Sequence, residues 1–99
     1  MILEIAQIEV KVGMEQAFEE GASKAVPLFR NAKGCHGMEL QRSIENPQRY
    51  RLIVQWETVE DHTVHFRSSA AFQKWRELVS HCFEKPPEVE HTSQALKGF

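Results

Sequence analysis

Residues Trp56-Glu57-Thr58-Val59-Glu60-Asp61-His62-Thr63-Val64-His65-Phe66-Arg67-Ser68-Ser69-Ala70-Ala71-Phe72-Gln73-Lys74-Trp75 lead from the end of a strand into two helical patterns, and so decide how sheet and helices connect. Just upstream, Tyr50-Arg51-Leu52-Ile53-Val54-Gln55-Trp56-Glu57 is rich in aromatic and β-branched residues. Its alternation puts Leu52, Val54 and Trp56 on one face and Arg51, Gln55 and Glu57 on the other, so Trp56 closes the strand pointing inward. Thr58 has the chemistry of a helix N-cap, and Asp61 three residues later favours the positive end of the helix dipole. At α-helical spacing His62, His65 and Phe66 share one face. Ser68-Ser69 marks a break and the cap of a second helix, whose inner stripe runs through Phe72, Trp75, Val79 and Cys82 or Phe83 toward Pro86.

Outward from this stretch the remaining elements follow by period. Ile2 to Val12 alternates as a first strand, with Ile2, Ala6, Ile8, Val10 and Val12 on one face and Leu3, Ile5, Gln7, Glu9 and Lys11 on the other. After Gly13, a helical stripe of Met14, Phe18, Gly21 or Ala22, Ala25 and Phe29 leaves Glu15, Glu19 and Glu20 in water. Pro27 is expected to kink or restart that helix, because it has no N–H and its ring crowds the preceding turn. Lys33-Gly34 ends it. Cys35 to Glu45 reads as a second strand with Met38, Leu40 and Ile44 together, and the turn Asn46-Pro47-Gln48-Arg49 makes a hairpin with the strand at Tyr50. Pro86-Pro87 stops the last helix, and Glu88 to Leu96 alternates as a final strand with Val89, His91 and Ala95 on one side.

The order is therefore βαββαβ. Right-handed crossovers fold it into an α+β, ferredoxin-like unit, a four-stranded antiparallel sheet with the helices on one face. The other sheet face would present Leu3, Ile5, Gln41, Ile53, Gln55 and Thr92, too apolar at its centre for water and too polar for a private core, so a homodimer through that face is expected.

Composition narrows the classes. The chain of 99 residues, 41% apolar and without repeats, is a single domain spanning residues 1–99. Twelve basic against fourteen acidic residues, net charge −2 with no basic cluster, argues against nucleic acid as a partner. No apolar run approaches the roughly 20 residues that span a bilayer. Met1-Ile2-Leu3-Glu4 lacks the order of a signal peptide, so no membrane and a cytoplasmic location are expected. Cys35 and Cys82, without CxxC spacing, read as free thiols.

Trp56-Glu57, His65-Phe66-Arg67-Ser68, Phe72-Gln73-Lys74-Trp75 and the ending Pro86-Pro87-Glu88-Val89 resemble the antibiotic biosynthesis monooxygenase (ABM) domain, over nearly the whole chain. The resemblance implies a dimeric α+β barrel with a pocket in each subunit between sheet and helices. The family includes cofactor-free quinol and anthrone oxygenases, haem degraders and an isomerase of a phosphorylated signalling molecule. The haem-degrading branch uses a first-strand asparagine and a late-helix histidine, whereas the matching stretches here read Ala6-Gln7-Ile8 and Lys74-Trp75-Arg76-Glu77, with His81 a turn further on.

The resemblance does not fix the substrate; the first expectation is a cofactor-independent oxygenase, with no metal, acting on a small quinol-like or polyphenolic molecule. His65 is the first candidate for its catalytic acid or base, because imidazole changes charge near neutral pH. The competing reading of His65 is a half-buried helix residue bonded to a backbone carbonyl. Trp56, Phe66, Phe72 and Trp75 would supply a flat apolar slot for a substrate ring, or simply core. His62, Arg42 and His91 are the polar groups that could hold a substrate oxygen. A metal at His62 and His65 lacks a clear third ligand. Two rival functions remain open: an isomerase of a small phosphorylated metabolite, favoured if Arg42, His36 and His91 converge, and a binding dimer without turnover.

Overall fold

The computed structural model describes residues 1–99. In order it contains β1 (Ile2–Glu9), α1 (Glu15–Arg30), β2 (Cys35–Arg42), β3 (Arg49–Trp56), a π-helical segment (Asp61–Phe66), α2 (Ala70–Val79), a 3-10 turn (Ser80–Cys82) and β4 (Glu88–Thr92). The strands form one antiparallel sheet in the order β2-β3-β1-β4, the ferredoxin-like arrangement. No helix is long and apolar enough to cross a membrane.

Strand alternation decides which side of the sheet is covered. Glu4, Ala6 and Ile8 of β1, and Tyr50, Leu52, Val54 and Trp56 of β3, are buried on the helix side. Against them α1 sets Phe18, Ala22, Ala25 and Phe29, and α2 sets Trp75 and Val79. Aromatic edges knit the layers: Phe18 meets Tyr50 with ring centroids 4.9 Å apart, and Phe29 meets Trp75 at 5.3 Å. The two helices approach closely at Gly21, where a Cβ would lie 2.6 Å from the Leu78 carbonyl oxygen.

The caps around the central stretch follow the side-chain chemistry. Thr58 Oγ1 accepts from the Asp61 N–H at 3.1 Å, and Ser69 Oγ accepts from the Phe72 N–H at 3.2 Å. Cys35 and Cys82 are free thiols, the first half-buried and the second buried.

Several boundaries differ from the sequence reading. The first helix runs unbroken through Pro27, whose ring is exposed; burial of Phe29 holds the last turn although one backbone bond is lost. The β2 ladder stops at Arg42, so Ile44 is 91% exposed and does not join Met38 and Leu40; Ser43 already bonds across the turn to the Arg49 carbonyl. Val12 also leaves the core face: the β1 ladder ends at Glu9, Val10 makes one bridge to Phe83, and the chain turns at Gly13 with φ +89°. The final strand ends at Thr92 and not at Leu96, because Thr92 pairs with Leu3 and β1 begins at Ile2.

Gly34 ties the α1–β2 turn to the π-helical segment. It has φ +76°, and a Cβ there would collide with the carboxylate of the buried Asp61. Gly34→Ala should therefore cost at least the ~1–2 kcal/mol of a left-handed non-glycine backbone, read as a lower urea midpoint.

Candidate functional site

The position that organises the site is Glu4. The alternation of β1 places it in the row of Ala6 and Ile8, facing the helices, where it is 5% exposed. Register puts Val54 of β3 on one side of it and His91 of β4 on the other. A carboxyl group on a core face must find donors, because an unsatisfied buried polar group is costly.

One ring system meets that need, and a second lies close beside it. The indole Nε1–H of Trp56 donates to Glu4 Oε1 at 3.0 Å, and His62 Nε2 lies 3.3 Å from the same oxygen. The imidazole of His62 stacks on the indole, with centroids 5.5 Å apart and planes 16° from parallel. Its other nitrogen, Nδ1, is 2.8 Å from Nε2 of His91. Trp56 is thus hydrogen-bonded to Glu4 and His62 to His91, and the approach of His62 to Glu4 sets the two pairs in one row that begins in the core and ends at a half-buried imidazole.

Burial sets the charges. It pushes the Glu4 carboxyl from 4.5 up to about 7, against the opposing pull of the Trp56 hydrogen bond and the Arg67 charge. It pushes His62 from 6.5 down to about 4, reinforced by the positive fields of Arg67 and His91. Near neutrality His62 is uncharged and Glu4 is poised between its two forms. The tautomer of His62 sets which of the two rings donates in its hydrogen bond with His91.

Glu4 and His62 open onto a cavity of about 330 Å³, within the usual range of small-molecule sites. Its sheet wall is Ala6, Ile8 and Leu52, its helix wall Phe72 and Trp75, and its third wall Phe83, Pro86, Pro87 and Val89. Two further polar side chains, Arg67 and Arg76, complete the lining.

The placement of the expected residues is uneven. Trp56, His62 and His91 come together around Glu4, and Phe72 and Trp75 line the cavity. Phe66 is buried beside Trp56, with centroids 5.4 Å apart, and serves as packing behind the site. His65 lies elsewhere. It is exposed and borders a separate hollow with Pro27, Leu28 and Asn31. The physical reason is the π turn over Asp61–Phe66, in which residues four apart align but those three apart diverge by roughly a quarter turn, so His62 and Phe66 face inward without His65. Arg42 sits at the far end of β2, exposed, bonded to the Pro47 carbonyl at 2.7 Å and to Glu19 at 3.3 Å. His36 pairs with exposed Glu57. No three His, Cys, Asp or Glu side chains gather around a common point as metal ligands would.

Glu4, Arg67 and Arg76 were not anticipated as site residues. Glu4 carried a signal: it is the one acid in the inward register of Ile2, Ala6, Ile8 and Val10. The arginines carried none, since exposed helix arginines are ordinary.

Known proteins place the chain. The family model for antibiotic biosynthesis monooxygenase matches residues 1–78, and the chain belongs to that family. A crystal structure from Bordetella bronchiseptica, named for the same monooxygenases, is 57% identical with a TM-score of 0.95, covering 96% of this chain and 97% of that one. YczJ of Bacillus subtilis is 38% identical over 91 residues, covering 92% of this chain and 96% of that protein. SnoaB, a cofactor-independent oxygenase of Streptomyces nogalater, shares the fold at a TM-score of 0.83 with 13% identity, over 98% of this chain and 95% of that one.

The opposed shifts make a pH prediction. With its pKa raised, Glu4 contributes stability that is full below pH 4.5 and is lost as pH rises through about 7. With its pKa lowered, His62 contributes stability that is full above pH 6.5 and is lost as pH falls through about 4. In the wild type the two slopes largely cancel. Relative to it, urea unfolding of Glu4→Gln should gain stability on going from pH 4.5 to 7, and His62→Gln should lose stability from pH 4 to 6.5, each by up to about 3 kcal/mol.

Proposed function

We propose that this protein is a monooxygenase that needs no cofactor and acts on a small quinol-like or polyphenolic compound held in the Glu4–His62 cavity. The observation that carries the reading is a carboxyl group tuned to about 7, facing an apolar cavity and backed by a neutral imidazole. A general base works best when its pKa lies near the working pH, and an apolar slot both fits a ring and keeps water from reactive intermediates. Ionised Glu4 takes a proton from the substrate, and His62 with His91 relays it toward solvent. The electron-rich anion passes one electron to O2, and the radical pair joins as a carbon–oxygen bond. The peroxide anion regains a proton, and the hydroperoxide loses water to leave a carbonyl. One oxygen atom enters the product and the other leaves as water, with all electrons drawn from the substrate. We assign the base to Glu4 with His62, in place of His65, on the ground of position.

Oxygen uptake by the purified protein with naphthoquinols, anthrones and catechols tests this reading. Glu4→Gln and His62→Ala should each lower the rate by about 10² or more, while His65→Ala stays near wild type. The rate should rise with pH through about 7 as Glu4 ionises. Absence of uptake with every compound would overturn the proposal, and equal loss in His65→Ala would move the base.

We also propose that a second copy of the chain covers the open sheet face, where Leu3, Ile5 and Ile53 are half-buried among Gln41, Gln55 and Thr92. Sedimentation at micromolar concentration should give a dimer, and Ile53→Glu should shift it to monomer. A stable wild-type monomer would remove the interface.

A further inference from the structure

Of the six arginines, Arg42 and Arg49 are paired with Glu19 and Glu9, and Arg51 is bonded to Gln7. Arg30, Arg67 and Arg76 have neither a carboxylate nor a side-chain hydrogen-bond partner in the chain, and of these three the last two line the Glu4 cavity. They come from different elements, Arg67 from the end of the π-helical segment and Arg76 from the middle of α2. The one acid among the lining residues is Glu4, already engaged by Trp56 and His62. An apolar cavity with two unmatched guanidinium groups is complementary to a ring that carries negative charge.

We infer that the substrate bears an oxyanion substituent, a carboxylate or a phosphate monoester, which Arg67 and Arg76 bind while its ring lies against Phe72 and Trp75. Guanidinium forks bind such groups by paired, charge-assisted hydrogen bonds, so the arginines fix which edge of the ring faces Glu4. The inference rests on the reading of this cavity as the substrate site, and it narrows the substrate class to acidic ring compounds.

Matched ligand pairs test it without turnover. Under anaerobic conditions, binding of 1,4-dihydroxy-2-naphthoate and of its methyl ester, and of 1-naphthyl phosphate and 1-naphthol, is followed by quenching of tryptophan fluorescence. In the wild type at least one anion should bind about tenfold or more tighter than its neutral partner, the scale of one charge-assisted contact, and the pair showing the preference identifies the oxyanion. Arg67→Gln combined with Arg76→Gln should erase that preference, the anion's affinity falling to that of its neutral partner. Both arginines are exposed, and unchanged thermal melting verifies that the fold is kept. Equal binding of anion and neutral partner, a preference that survives the double substitution, or no binding of any of the four would overturn the inference. Oxygen uptake in air with the naphthoate and its ester separates the two claims. A preferred anion that is never oxidised would sink the oxygenase and leave this inference standing. An ester bound and oxidised as well as the acid would do the reverse.

Discussion

A carboxyl group on the inward face of the central strand is the constraint around which this molecule is arranged. Glu4 stands where the β1 alternation calls for an aliphatic side chain. Leaving it without partners would cost on the order of 1–3 kcal/mol or more. Trp56, at the end of β3, supplies the donor, and His62, the second residue of the π-helical segment, sets its ring 3.3 Å from the same carboxyl oxygen. Each is held in turn: the indole is buried with Phe66 beside it, and the imidazole is stacked on the indole and bonded to His91. The arrangement tolerates the acid while burial still disfavours its ionisation, which is why its pKa is pushed from 4.5 up to about 7.

Much of the fold was legible because it rests on period and punctuation. The alternation of Tyr50–Trp56, the stripe of Phe18, Ala22, Ala25 and Phe29, and the caps at Thr58 and Ser69 all report local physics, and all appear in place. The boundaries that shifted did so where pairing partners ran out, at Arg42 and Thr92, or where packing of Phe29 outweighed a proline. Neither cause is local, so neither shows in a window of residues.

The candidate site was half legible. Trp56, His62, His91, Phe72 and Trp75 were recognisable as a concentration of aromatic and imidazole groups, but the choice between His62 and His65 turned on helix type. An α-helical template aligns both; the π turn admits only the first. Glu4 was hidden by distance, since it lies 52 positions before the Trp56 ring that binds it, and only the sheet register brings them together. Arg67 and Arg76 become notable only once the cavity beside them is known and their lack of partners can be seen.

The π turn has a further meaning for how proteins of this architecture diverge. Such a turn holds one more residue than an α-turn between the same two ends, so the segment's length can vary by one while β3 and α2 stay where they are. Between Asp61 and Phe66, evolution can therefore change which side chain meets the first strand through a single-codon insertion or deletion, a step that leaves the scaffold intact. Variety of chemistry on one scaffold then needs no redesign of its core: the same sheet and helices can present an imidazole in one lineage and a different group in the next.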